Sequence, residues 1–133
     1  MKKTKKEFLY DLKDWYFETL GLGRWSGALP LKKAPKKYLD DEKFIRAAIK
    51  IDAWSYVFAS KRLRNELSIV KLMYKTEASH AAQIANIHDN RNGFPKKFWK
   101  NKVFLDWLGK NNFYPEKFLK HFYEKINKDK LIK

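Results

Sequence analysis

Three pairs of adjacent cations carry the clearest chemistry in this chain: Lys36-Lys37, Lys61-Arg62 and Lys96-Lys97. Each pair follows a Pro or Ser (Pro35, Ser60, Pro95) and precedes a large apolar residue (Tyr38, Leu63, Phe98). Paired ammonium and guanidinium groups neutralise phosphates and release their condensed counterions, a contact that positions a nucleic acid without reading its bases. Lys32 and Lys33 stand just upstream of the first pair, and Lys100 and Lys102 just downstream of the third. The competing reading is that cations between a Pro and a helix are simply solvated. Two tryptophans add a second chemistry. Trp25 sits beside Arg24 in a Gly-rich segment, and Trp99 lies between Phe98 and Lys100. Such rings can stack on bases or anchor a partner protein; alternatively each seals the end of a helical layer. Trp15, Trp54 and Trp107 lie on apolar faces and are assigned to the core.

Catalytic chemistry finds little support. His80 and His88 are eight residues apart, about two helical turns, too far to share a metal directly, and His121 is remote in sequence. The dipeptide His88-Asp89 is similar to the centre of metal-dependent phosphohydrolases, which need further ligands that this chain does not supply. It reads better as part of a polar turn, residues 88–93. Asp40, Asp41 and Glu42 are adjacent carboxylates at the start of an apolar-periodic stretch, where they answer a helix dipole. No Gly-rich phosphate loop follows a strand. The expectation is a protein without catalytic residues, cofactor or metal.

The elements that must position the cations are written in a phrase that recurs. Residues 34–45 read A-P-K-K-Y-L-D-D-E-K-F-I and residues 94–105 read F-P-K-K-F-W-K-N-K-V-F-L. Residues 59–70, A-S-K-R-L-R-N-E-L-S-I-V, form a looser copy. Phe44-Ile45, Ile69-Val70 and Phe104-Leu105 align as apolar pairs. Offsets of 25 and 35 residues fall in the range of stacked helical repeats. Equivalent positions of stacked repeats share a face, so the basic pairs are expected to form a ladder.

Around these copies the periodicity is helical throughout. Phe8, Leu9, Leu12, Trp15, Tyr16 and Leu20 recur at helical spacing over residues 4–20, with Thr4 and Glu7 forming a capping-box pattern and Gly21 and Gly23 ending the helix. A loop follows over 21–35. Asp40 or Asp41 then caps a helix to about Ile51, with Phe44, Ile45, Ala48 and Ile49 inward. Further helices are expected over Ala53–Ala59, residues 65–75 (burying Leu67, Ile69, Val70, Leu72 and Met73), 77–87, 101–110 and 114–127. Pro115 stands at a permitted first-turn position. No hairpin signal or alternating run is present. The fold class is therefore all-α: one basic repeat domain over 1–133, a bundle of about six to seven short helices, frayed at 1–3 and 128–133.

The phrase P-K-K-Φ-x-D-D-x-x-F-Φ-x-x-A, followed by a short aromatic helix ending in Ala-Ser, resembles the family catalogued as domain of unknown function 4116. The likeness is best over residues 34–74 and returns at 94–109. It departs at Lys100-Asn101, where the acidic pair is lost, and in the 76–94 insertion. The resemblance implies short tandem helical units and carries no activity and no catalytic residue.

Charge bounds the partners. The 133 residues hold 30 Lys and Arg against 15 Asp and Glu, a net charge of +15. That field attracts nucleic acid, anionic membrane or an acidic protein. Lysine supplies 25 of the 30 cations. An AT-rich genome would explain Lys in place of Arg, but it does not explain the shortage of carboxylates. Cysteine is absent, which removes disulfides and thiolate chemistry. No apolar run approaches the roughly 20 residues of a membrane span, and Asp11, Asp14 and Glu18 oppose anionic lipid at the amino-terminal helix. A soluble, cytoplasmic monomer is expected. Its function is read as non-catalytic binding of nucleic acid or a nucleoprotein complex. The alternative is an adaptor or inhibitor docking on an acidic partner protein, a role that would suit a phage or mobile-element product.

Overall fold

The computed structural model describes residues 3–19, 28–86 and 91–132, all of whose regular structure is helical, with no strand among them. Its contacts gather into two compact units, Met1–Phe94 and Pro95–Lys133. No helix among the described residues is long and apolar enough to cross a membrane.

In the first unit, α1 (Lys5–Thr19) starts from a reciprocal capping box. The Glu7 N–H donates to Thr4 Oγ1 at 3.2 Å, and the Thr4 N–H donates to Glu7 Oε1 at 3.0 Å. This satisfies two of the orphan donors of a helix start and stabilises it by about 1 kcal/mol. Phe8 and Leu12, one turn apart, are buried. They face the 3-10 turn Leu29–Lys33 and the helix α3 (Glu42–Ile51). The expected end of α1 at Gly21 and Gly23 lies outside the described residues.

Each copy of the repeated phrase opens with a short helical turn followed by a longer helix. The basic pair lies in a single turn of helix: α2 (Lys36–Leu39), α4 (Lys61–Arg64) and the 3-10 turn Lys96–Lys100. Pro35, Ser60 and Pro95 stand at the residue before it. A second cap follows at aligned positions Asp41, Glu66 and Asn101, opening α3, α5 (Leu67–Thr76) and α7 (Lys102–Lys110). The Asp41 and Asn101 side chains accept the N–H three residues on, from Phe44 and Phe104; Glu66 makes no such bond. The first caps differ as well: Ser60 accepts the Leu63 N–H at 3.4 Å, while Pro35 and Pro95 have no side chain able to do so. The aligned apolar pairs are buried in all three copies, as are Ala48, Met73 and Leu108 one turn later.

The sequence pattern assigns no helix to either α2 or α4: it places a loop over 21–35, a helix from Asp40 or Asp41, and the next long helix from about 65. Four-residue helices are too short to show a period, so pattern reading passes over them. Ala53–Phe58 is a 3-10 helix capped by Asp52, whose side chain accepts the Trp54 N–H at 3.0 Å. It packs on α3, α5 and α6 (Ala78–Ile84) and buries Trp54 and Tyr56. Leu67 and Leu72, expected inward, are only half-buried, because α5 turns Ile69, Val70, Met73 and Tyr74 to the core instead.

In the second unit, α7 ends in a Schellman arrangement. The Phe113 N–H donates to the Leu108 carbonyl at 3.0 Å and the Asn112 N–H to the Gly109 carbonyl at 3.1 Å. Asn112 takes the left-handed φ of 59°, which a short polar side chain tolerates. The last helix, α8 (Glu116–Ile132), runs past the expected end at 127. Leu119 and Phe122 are buried, and α8 packs on α7 and on the Lys96–Lys100 turn.

Candidate nucleic-acid interface

The first two copies meet through their caps. The Ser60 N–H donates to the Leu39 carbonyl at 2.9 Å, joining the end of α2 to the start of α4. The Ser60 hydroxyl donates to Asp40 Oδ1 at 2.6 Å, and Arg62 donates through Nε to the same oxygen at 3.0 Å. A second Arg62 nitrogen reaches the Asp40 carbonyl oxygen at 2.6 Å. Ser60's hydroxyl and then Arg62 hold the Asp40 carboxyl below the usual carboxylate range. The joint leaves an open depression of about 490 Å³ lined by Lys36, Lys37, Leu39, Asp40, Phe58 and Ser60.

Lys36, Lys37, Lys61 and Arg62 are all exposed around this joint. Lys37 rests over the Tyr38 ring at 5.7 Å, and the aligned Lys97 rests over Phe98 at 5.5 Å. Such contacts cover the aliphatic stem while the ammonium stays in water. Arg62 differs from the lysines, since part of its charge is answered by Asp40. Lys96 and Lys97 are exposed in the second unit. Arg24 and Trp25 lie outside the described residues.

Trp99 requires a correction. Named above as a stacking anchor, it is 4% exposed. Its ring stacks on Phe122 at 4.8 Å and meets Phe104, Tyr114 and Phe118 edge-on at 5.7, 5.7 and 6.1 Å. Packing from two sides is the reason: α7 covers Phe98 through Phe104 at 5.6 Å, and α8 covers Trp99 through Phe118 and Phe122, so both adjacent rings are buried. Trp54 is buried as expected, whereas Trp15 and Trp107 are half-buried.

A residue that the sequence reading left without a role, Phe58, lines the depression. It is half-buried, and no aromatic ring packs on it among the described residues. The signal was its position just before the Ala-Ser that opens the next copy.

Elsewhere the polar groups serve the fold. Arg64 donates from Nε to the Gly93 carbonyl at 3.1 Å and from a terminal nitrogen to the Ala59 carbonyl, while its own carbonyl accepts the Tyr56 hydroxyl at 2.6 Å. Burial pushes the Tyr56 phenol far up. Asp52 is 2% exposed, and burial raises its carboxyl against the opposing hydrogen bond from the Trp54 N–H. His80 lies beside Trp54, ring centroids 6.0 Å apart, and His121 lies on α8 against Phe122. His88 and Asp89 fall outside the described residues. Among the described residues no group of three or more His, Asp or Glu side chains is arranged to hold a metal ion. In comparisons with known proteins, no family model, no curated protein and no solved structure matches this chain.

Proposed function

We propose that the protein binds nucleic acid through the basic surface carried on α2 and α4. One observation carries the reading: the Ser60 joint ties the two pairs together, with Lys36 and Lys37 lining one depression and Arg62 bonded to Asp40 of its lining, although the pairs lie 25 residues apart in sequence. A net charge of +15 supplies the long-range attraction, and phosphate contact at such a rim needs no base identity. Lys96 and Lys97, on the aligned short turn in the second unit, extend the reading to a further contact. Tandem helical units of the kind the sequence resembles suit such a surface, because each unit can present its cations on an equivalent turn.

The test is fluorescence anisotropy of labelled single-stranded DNA, duplex DNA and RNA at about 50 and 200 mM salt, with Lys36, Lys37, Lys61, Arg62, Lys96 and Lys97 changed to Gln in the comparison protein. Binding that persists at the higher salt and disappears in the substituted protein supports the reading. Binding that survives the substitutions refutes it.

The alternative is an adaptor or inhibitor that docks on an acidic protein. Tyr10 and Phe17, seven residues apart on α1 and 71% and 68% exposed, favour it. Partner capture would then be lost on changing Tyr10 and Phe17 to Ser and would respond little to salt.

A further inference from the structure

Taking the basic surface as a nucleic-acid interface, we propose that the depression beside Phe58 is a pocket for an unpaired base, so that the protein takes single-stranded rather than duplex nucleic acid.

The lining is divided in a way that phosphate binding alone does not require. Lys36 and Lys37 are cationic, Leu39 and Phe58 are apolar, and Asp40 is anionic. A carboxylate inside a phosphate track repels it. The same carboxylate accepts hydrogen bonds from the N–H groups of a base edge, and only an unpaired base can leave its stack and turn that edge and its face into the depression. Asp40 is prepared for that role. Its Oδ1 already takes the Ser60 hydroxyl and Arg62 Nε, which fixes the carboxylate, and among the described residues no donor reaches Oδ2. The same two donors hold its carboxyl below the usual carboxylate range.

Phe58 supplies the platform. Two other rings near the joint are packed on neighbours: Tyr38 meets Phe8 and Phe44 at 6.0 and 5.7 Å, and Tyr56 meets Phe94 at 6.1 Å. Phe58 has no such neighbour among the described residues and lines an open space of about 490 Å³, ample for one nucleotide. An aromatic face in a cationic groove is the arrangement that holds single strands, because every base has a π-face. The phosphates flanking the stacked base would then run past Lys36 and Lys37. Bases with an exocyclic amino group (adenine, cytosine and guanine) offer Asp40 a better donor than thymine does.

The experiment titrates wild-type protein into labelled oligo-dA, oligo-dT, oligo-rA and a duplex of equal length at about 50 mM salt. It then repeats the series with Phe58→Leu, Phe58→Trp and the Lys36→Gln/Lys37→Gln protein. Wild type should favour single strands over duplex, and oligo-dA over oligo-dT; comparing dA with rA separates DNA from RNA. Phe58→Leu should weaken single-strand binding roughly tenfold and leave duplex binding unchanged, while Phe58→Trp retains it. Lys36→Gln/Lys37→Gln should weaken both. If wild type binds no oligonucleotide, the basic-surface reading fails and this one falls with it. Equal affinity for single strand and duplex, with Phe58→Leu neutral, leaves the basic surface standing and overturns the pocket. Should Phe58→Leu unfold by circular dichroism, photocrosslinking of an iodouracil oligonucleotide to wild-type protein decides: the adduct should map to the tryptic peptide 51–61, which contains Phe58. Adducts confined to other peptides overturn the pocket.

Discussion

Replacing Trp99 by Ala separates a core tryptophan from a stacking anchor. An aromatic side chain of this size buries about 150–250 Å², worth about 4–6 kcal/mol at 25 cal/mol per Å². The stacked contact with Phe122 at 4.8 Å adds about 0.5–1.5 kcal/mol. Measured truncations of buried Phe and Trp to Ala fall at about 3–5 kcal/mol because the site partly relaxes, so a loss of about 4 kcal/mol is expected here. Trp99 holds the Lys96–Lys100 turn against α8 through Phe118 and Phe122. The loss should therefore be read locally, by hydrogen exchange of the α8 amides. A 4 kcal/mol loss corresponds to a fall in protection of about a thousandfold, at one decade per 1.4 kcal/mol. Trp99→Phe, which keeps a ring against Phe122, should lose only about 1–2 kcal/mol. If Trp99→Ala leaves α8 protection within about fivefold of wild type, its burial does not organise the second unit, and the assignment to the core is wrong.

Asp52→Asn should raise stability at neutral pH. Burial holds the Asp52 carboxyl above its ordinary value of 3.8, so its contribution is fully present below that value and is lost as pH rises through the raised one. Asn keeps the cap on Trp54 without the buried charge, and melting temperatures should diverge across that window and converge below it. Asp41→Ala should cost about 1 kcal/mol in urea unfolding through loss of the α3 cap, with Asp41→Asn close to wild type. Asp41 is held below the carboxylate range by Lys5 first and the Phe44 N–H second, so its stabilisation is present above pH 3.8 and lost as pH falls below it. Gly93→Ala should cost about 1–3 kcal/mol by thermal melting: φ is 68°, and a Cβ would stand 2.8 Å from Arg64 Nε, disturbing the Arg64 clamp on Gly93 and Ala59. In alkaline spectrophotometric titration Tyr123 should ionise near pH 12, above an ordinary tyrosine, because burial and then its hydrogen bond to Asp106 favour the neutral phenol.

Long amphipathic stretches were legible because their period repeats over several turns. The capping box at Thr4 and Glu7, the Asp41 cap and the inward Phe44, Ile45, Ala48 and Ile49 all stand where the pattern puts them. The one-turn helices α2 and α4 were not legible, since four residues carry no period and are held by caps and neighbours. Half of the candidate interface was equally legible. The basic pairs announce themselves by repetition, and Lys36, Lys37, Lys61, Arg62, Lys96 and Lys97 are exposed. Phe58 was not distinguishable from Trp54 or Tyr56 in the run A-W-S-Y-V-F, because a 3-10 turn distributes its side chains with a different period from an α-helix.

By itself, the sequence determined the all-α class, the caps that open α1 and α3 and the chemistry available at the surface. These depend on neighbours within about one or two turns: a cap, an apolar spacing, a Pro that removes a donor. Only the tertiary structure decided which rings remain available. Trp99 and Phe58 each end or occupy a short aromatic turn, yet Trp99 is enclosed by Phe104 and Phe122, while Phe58 lines a depression together with residues of α2. The joint between Ser60, Leu39 and Asp40 was equally invisible locally, because it brings together groups some 20 residues apart. Burial is a property of what packs against a residue, and no local spacing encodes that.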